Sequence, residues 1–182
     1  GVYTRVPIGE IDVEMDGGLF DGTRQELDIY QAEFRTNLVT VKGTAKVRSL
    51  IHSLDEVILI EAEAGEGEHV NIIWRAYQEV PDIMKNEDGI NYNQYIPEIT
   101  LKSSCVGNVT VQEQKFSEHD GCTVAYMTVE ENGDKRKVRF YLTVQKGFGT
   151  EAVSRAVVAV QNAAAADAAE WEEEHRAWWR DY

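Results

Sequence analysis

The chain has 182 residues, with 32 acidic against 18 basic side chains and a net charge of -14. That balance argues against a broad nucleic-acid contact, which draws its affinity from lysine and arginine on phosphates. Hydrophobic residues make up 43% of the chain, enough to bury a core and too many for a disordered acidic tail.

Taken in order, the first element is an alternating run. Ile11, Val13 and Met15 are separated by Asp12, Glu14 and Asp16, and Gly17-Gly18 closes it. This predicts a half-buried strand and a turn. The stretch from Leu27 to Val41 reads as a second extended segment, with Tyr30, Ala32 and Phe34 on one parity. A short helix is expected over 44–54, capped by Thr44, because Val47, Leu50, Ile51 and Leu54 fall at helical spacing. The apolar run Val57 to Ile60 and the alternating run Val70, Ile72, Trp74 and Ala76 flank a glycine-rich loop. Together they read as a hairpin.

Residues 80–97 hold Pro81, Pro97 and several asparagines, with Tyr92 and Tyr95 interleaved. Long ordered loops of this kind often carry function. Strands are expected at 99–103 and 109–116. Asn132-Gly133 supplies the two positive φ angles of a tight hairpin turn. That turn would set Met127 opposite Val138 and Ala125 opposite Phe140.

From Thr150 onward the pattern predicts one long helix, with Thr150 as its cap. Val153, Val157, Val160, Ala164, Trp171 and Trp178 repeat at three-, four- and seven-residue spacing. A straight helix over 150–182 would span roughly 50 Å at about 1.5 Å per residue. It would either project past a domain of this size or kink and fold back over the sheet. The fold class expected is α+β: a mostly antiparallel sheet or sandwich, one short mid-chain helix and a long C-terminal helix. Residues 1–149 form the β-rich domain and 150–182 the helical appendage.

Catalytic chemistry finds no foothold in the pattern. His52, His69, His119 and His175 form none of the HxH, HxxxH or HExxH spacings of a metal site. No GxSxG, P-loop or GxGxxG occurs. Cys105 and Cys122 lack a CxxC spacing and read as free thiols in strands. Lys135, Arg136, Lys137 and Arg139 are the one local basic run, read as a solvated strand end. The expectation is no enzyme, no metal and no cofactor.

The aromatic side chains carry the functional expectation. Tyr92, Tyr95, Trp171, Trp178, Trp179 and Tyr182 are poor solvent residues and good interface anchors. They predict a structural or assembly subunit that contacts copies of itself or other proteins, of the kind found in phage virions. An acidic oligomeric adaptor, and a small-ligand carrier or enzyme built on a β-sheet cup, are the alternatives. Gly43-Thr44-Ala45-Lys46-Val47, Val57-Ile58-Leu59-Ile60, Val109-Thr110-Val111 through Asp120-Gly121, and the helix from Glu170-Trp171 to Trp178 loosely resemble elements of the mitochondrial p32 family. The resemblance covers part of the chain and implies the adaptor role. The chain lacks that family's N-terminal helix and long acidic loops. No apolar run reaches membrane-spanning length and no basic start precedes one. The expected location is the cytoplasm or a virion, or the mitochondrial matrix if a presequence has been removed.

Overall fold

The computed structural model describes residues 8–18, 20–77, 99–116, 118–131 and 133–182. Among them the strands are β1 Gly9–Met15, β2 Phe20–Asp28, β3 Glu33–Thr40, β4 Thr44–His52, β5 Val57–Ala64, β6 Val70–Ala76, β7 Thr100–Val106, β8 Val109–Lys115, β9 Gly121–Glu131 and β10 Asp134–Lys146. Two helices follow, α1 Thr150–Ala165 and α2 Ala168–Asp181. Eight strands form one antiparallel sheet in the order β2-β3-β4-β5-β10-β9-β8-β7, and β1 pairs with β6 in a separate ribbon.

The large sheet is the middle layer. One of its faces packs on the helices, where Val109, Val111, Ala125, Met127 and Tyr141 meet Ala156, Val157, Val160 and Trp171. The other packs on the ribbon, where Ile60, Ala62, Val124, Phe140 and Leu142 meet Val70, Ile72 and Trp74. Central strands are thus covered on both sides. Their apolar residues fall on both parities, and clean alternation is lost.

This layering overturns the helix expected at 44–54. That segment is β4, whose Ala45 and Val47 pack on the ribbon side while Leu50 joins the helix-side core. Apolar side chains on both faces of a strand imitate helical spacing. The stretch from Leu27 to Val41 is likewise two strands and not one. Asp28 Oδ1 accepts from the N–H groups of Tyr30 and Gln31, and Ala32 turns at φ 50, which reverses the chain.

The expected hairpin between β5 and β6 does not form either. β5 stays in the large sheet while β6 leaves to pair with β1. Buried Glu68 anchors the crossing: its carboxylate accepts from Gly17 N–H, His69 N–H and the Thr40 hydroxyl. Three turns are tied to one side chain.

Gly133 sits at φ 73 between β9 and β10, a left-handed conformation that suits a tight turn, but the register differs from the one expected. Asp134 pairs with Glu131 while Val138 pairs with Glu130, so an irregularity inserts three extra residues on β10. An odd shift moves side chains to the opposite face. Met127 lies opposite Tyr141 on the helix side, and Phe140 lies opposite Thr128 on the ribbon side.

The C-terminal segment is two helices and not one long rod. Ala166 turns to ψ 154, and Asp167 Oδ1 accepts from the N–H groups of Ala169 and Glu170 to cap α2. The cap of α1 is Gly149, at φ 85, and not Thr150. The Gly149 N–H donates to Glu113 Oε2 at 2.6 Å, so a carboxylate from the sheet faces the positive end of α1.

Candidate functional site

The two helices meet the sheet by different chemistry. α1 buries Ala152, Ala156, Val157, Val160 and Ala163. Their small or β-branched side chains let it lie close on β8, β9 and β10. α2 buries only Trp171 and His175, and its seat is largely polar.

At the centre of that seat is Arg48 on β4. Its guanidinium reaches Glu33 at 3.0 Å, Glu61, and both oxygens of Glu172 on α2 at 2.5 and 2.8 Å. Each glutamate is shared with a second arginine: Glu33 with Arg35, Glu61 with Arg139, and Glu172 with Arg176. Register places this set. Arg35 lies opposite Arg48, and Arg48 opposite Glu61, which is itself opposite Arg139, all on the helix side of the sheet. The hydrogen bonds that Arg48 donates to Glu172 raise its pKa further, so it stays charged. Burial disfavours the Glu172 carboxylate, but Arg48 and Arg176 outweigh it and hold the group below its usual range.

Beside it lies an aromatic seat. The His52 and Trp171 rings stack with centroids 4.1 Å apart. Asp55 N–H donates to His52 Nδ1 at 3.2 Å, which leaves Nε2 as the donor to the Trp171 carbonyl at 3.0 Å. The Trp171 indole N–H donates to Asp55 Oδ2 at 2.6 Å. His175, one turn further, has Nε2 at 3.4 Å from the Ala32 carbonyl, while its buried Nδ1 has no hydrogen-bond partner. Burial pushes the His175 pKa down, and the nearby His52 adds to this.

Beyond His175 the helix surfaces. Trp178, Trp179 and Tyr182 contact one another, with ring centroids 5.1 to 5.9 Å apart. They remain 36%, 40% and 90% exposed. The turn carrying exposed Ile29 and Tyr30 sits at the same end, because Ala32 touches His175. Trp178, Trp179 and Tyr182 thus form an exposed aromatic cluster at the end of α2.

Of the aromatic residues singled out from the sequence, the structure thus brings together Trp178, Trp179 and Tyr182. Trp171 is different: it is 7% exposed and belongs to the chain's own core, not to an outward surface. Tyr92 and Tyr95 lie outside the described residues. The Arg48 and His52 clusters went unread, because their members are separated by up to 124 positions in the chain.

The basic run is neutralised locally. Arg136 pairs with Asp134 at 3.2 Å, Lys137 with Glu63 at 3.3 Å, and Arg139 with Glu61 at 2.7 Å. The last two border an open trough of about 380 Å³ on the helix side of the sheet, lined by charges of both signs. Both cysteines are free: Cys105 is exposed, and burial pushes the Cys122 thiol up to about 11. Among the described residues, no group of three or more His, Cys, Asp or Glu side chains is placed to hold a metal ion. No helix among them is long and apolar enough to cross a membrane.

No protein-family model matches the chain, and none of the curated proteins does. Its fold does match solved structures. One of these is named "Putative kojibiose phosphorylase from human microbiome", with a TM-score of 0.65 and 9% sequence identity. The match covers 92% of this chain but only 24% of that one, so the chain spans about a quarter of its neighbour's length. At that identity the likeness is one of fold.

Proposed function

We propose that this chain is a non-catalytic β-sandwich module that acts by contact, as part of, or bound to, a larger carbohydrate-processing enzyme. The observation that carries the reading is the asymmetry of the match. Nearly the whole of this fold recurs in a chain named as a phosphorylase, where it accounts for 24% of the length. The exposed aromatic end of α2 supplies a contact surface for such a neighbour.

The test is detection of the chain in extracts of its native cells with an antibody, followed by mass spectrometry of the purified species. The reading expects the chain to be covalently continuous with, or stably bound to, a carbohydrate-processing polypeptide. A free 20.6 kDa species without such a companion would overturn it. So would cleavage of a disaccharide by the isolated chain, with or without added phosphate.

Self-assembly is the second reading, favoured by the mutual contacts of Trp178, Trp179 and Tyr182 on an exposed surface. Light scattering at low and high salt separates the two. A salt-resistant oligomer that is lost when the three residues are changed to alanine supports self-assembly. A monomer at both salts removes it.

A further inference from the structure

The helices differ in what holds them, and the difference has a direction. The side chains that α1 buries carry no titratable group. α2 is held by one apolar anchor, Trp171, and by groups whose charge depends on pH: His52, His175, Asp55 and Glu172. A break at Ala166 and a cap at Asp167 separate the two helices, so α2 begins as its own unit.

We propose that acidification releases α2 from the sheet while α1 stays docked, with His175 as the group that takes up the proton. His175 is 1% exposed. Its Nε2 is engaged with the Ala32 carbonyl, and its buried Nδ1 has no acceptor to receive a new N–H. Protonation would therefore place an unpaired cation in the interface.

The surroundings make this worse for the cation. From β4, His52 faces it with ring centroids 5.8 Å apart. From the β2–β3 turn come backbone groups of Gln31 and Ala32, which favour the charged form but are outweighed by burial. From α2 itself, Arg176 adds a like charge, and Trp179 offers a ring edge-on at 6.4 Å. None of the ion pairs of this seat joins a carboxylate to His175. Asp55 holds Trp171 and lies 3.4 Å from His52, Glu174 is 3.9 Å from His52, and Glu172 is held by Arg48 and Arg176.

The sign follows. In the undocked arm the histidine returns to about 6.5. Its docked pKa is lower, so the undocked state binds more protons and docking weakens as pH falls below that value. The docking constant drops by at most about tenfold per pH unit. Release would move Trp178, Trp179 and Tyr182 relative to the sheet. This concerns the chain's own docking, and it stands whether or not the module reading holds.

The experiment is amide hydrogen exchange on the full 182-residue chain between pH 7.5 and 5, corrected for intrinsic exchange rates. The expected result is progressive loss of protection over 168–181 below about pH 6.5, with 150–165 unchanged and serving as the internal reference. His175→Leu should flatten that response. Retained α2 protection at pH 5 would overturn the proposal. An equal loss in His175→Leu would also do so, as would a response abolished by His52→Gln but kept in His175→Leu. If His175→Leu does not fold, NMR titration of His175 in the unaltered chain decides: a pKa at or above about 6.5 overturns the proposal, and a lower one supports it.

Discussion

His52 and Trp171 stack ring on ring, 12° from parallel and 119 positions apart in the chain. The contact joins β4 in the sheet to α2 in the helical layer. It makes Trp171 a core residue, while the aromatic residues at the far end of α2 stay exposed.

Truncation of Trp171 and of Tyr182 separates core from surface. Trp171→Ala should destabilise the chain by about 3–5 kcal/mol, as expected for a buried tryptophan. Tyr182→Ala should stay within about 0.5 kcal/mol. Urea unfolding measures both, and equal effects would place Trp171 outside the core.

Arg48 is the second long-range tie. Arg48→Met removes the cation shared by Glu33, Glu61 and Glu172 and leaves Glu33 buried with one arginine. The expected loss is about 2–4 kcal/mol after allowance for the partial exposure of Glu61 and Glu172. Arg24→Ala, which breaks an exposed pair with Glu26, should cost less than about 1 kcal/mol. The contrast is read from denaturant midpoints at constant slope.

Two neighbouring glycines should respond differently. A Cβ on Gly17 would lie 2.1 Å from Thr40 Oγ1 and 2.6 Å from Glu68 Oε2. Gly17→Ala should therefore disturb the three-turn anchor and cost about 1–3 kcal/mol. Gly18 has open space but sits at φ 66, so Gly18→Ala bears only the backbone strain, on the order of 1 kcal/mol. Thermal melts of the two variants check the order.

Acid stability has a defined sign at Glu113. The Gly149 N–H, then Lys102, hold its carboxyl below the usual range against the effect of burial. Its contribution is therefore full above the unfolded value of about 4.3 and is lost as pH falls through the lower folded value. Glu113→Gln should lower stability at pH 7 and flatten the acid limb below about pH 4.3. A stability curve parallel to that of the unaltered chain would show that the pairing carries no net weight.

The α2 cap should be worth about 1 kcal/mol. Asp167→Ala removes the acceptor for two backbone N–H groups. Hydrogen exchange should show faster opening over 168–181 with little change over 150–165.

Several features were legible from local pattern. The strand at 11–15 with its Gly17-Gly18 turn, the positive φ of Gly133, and the Glu172–Arg176 pair depend on residues a few positions apart. The helix break was legible too and went unread: Asp167 with Glu170 three positions on is a capping signature. The alanine-rich stripe across it masked the signal.

Alternation and turn chemistry thus determined that this chain builds an antiparallel sheet followed by helix, because neighbours in sequence share one backbone and one period. Tertiary structure decided which layer each strand joins, the register of β10, the identity of β4 and the burial of Trp171. Those outcomes rest on side chains meeting across the fold. A central strand covered on both faces loses its period, an irregularity of three residues inverts a strand's faces, and an Arg48–Glu172 or His52–Trp171 contact leaves no trace in local spacing.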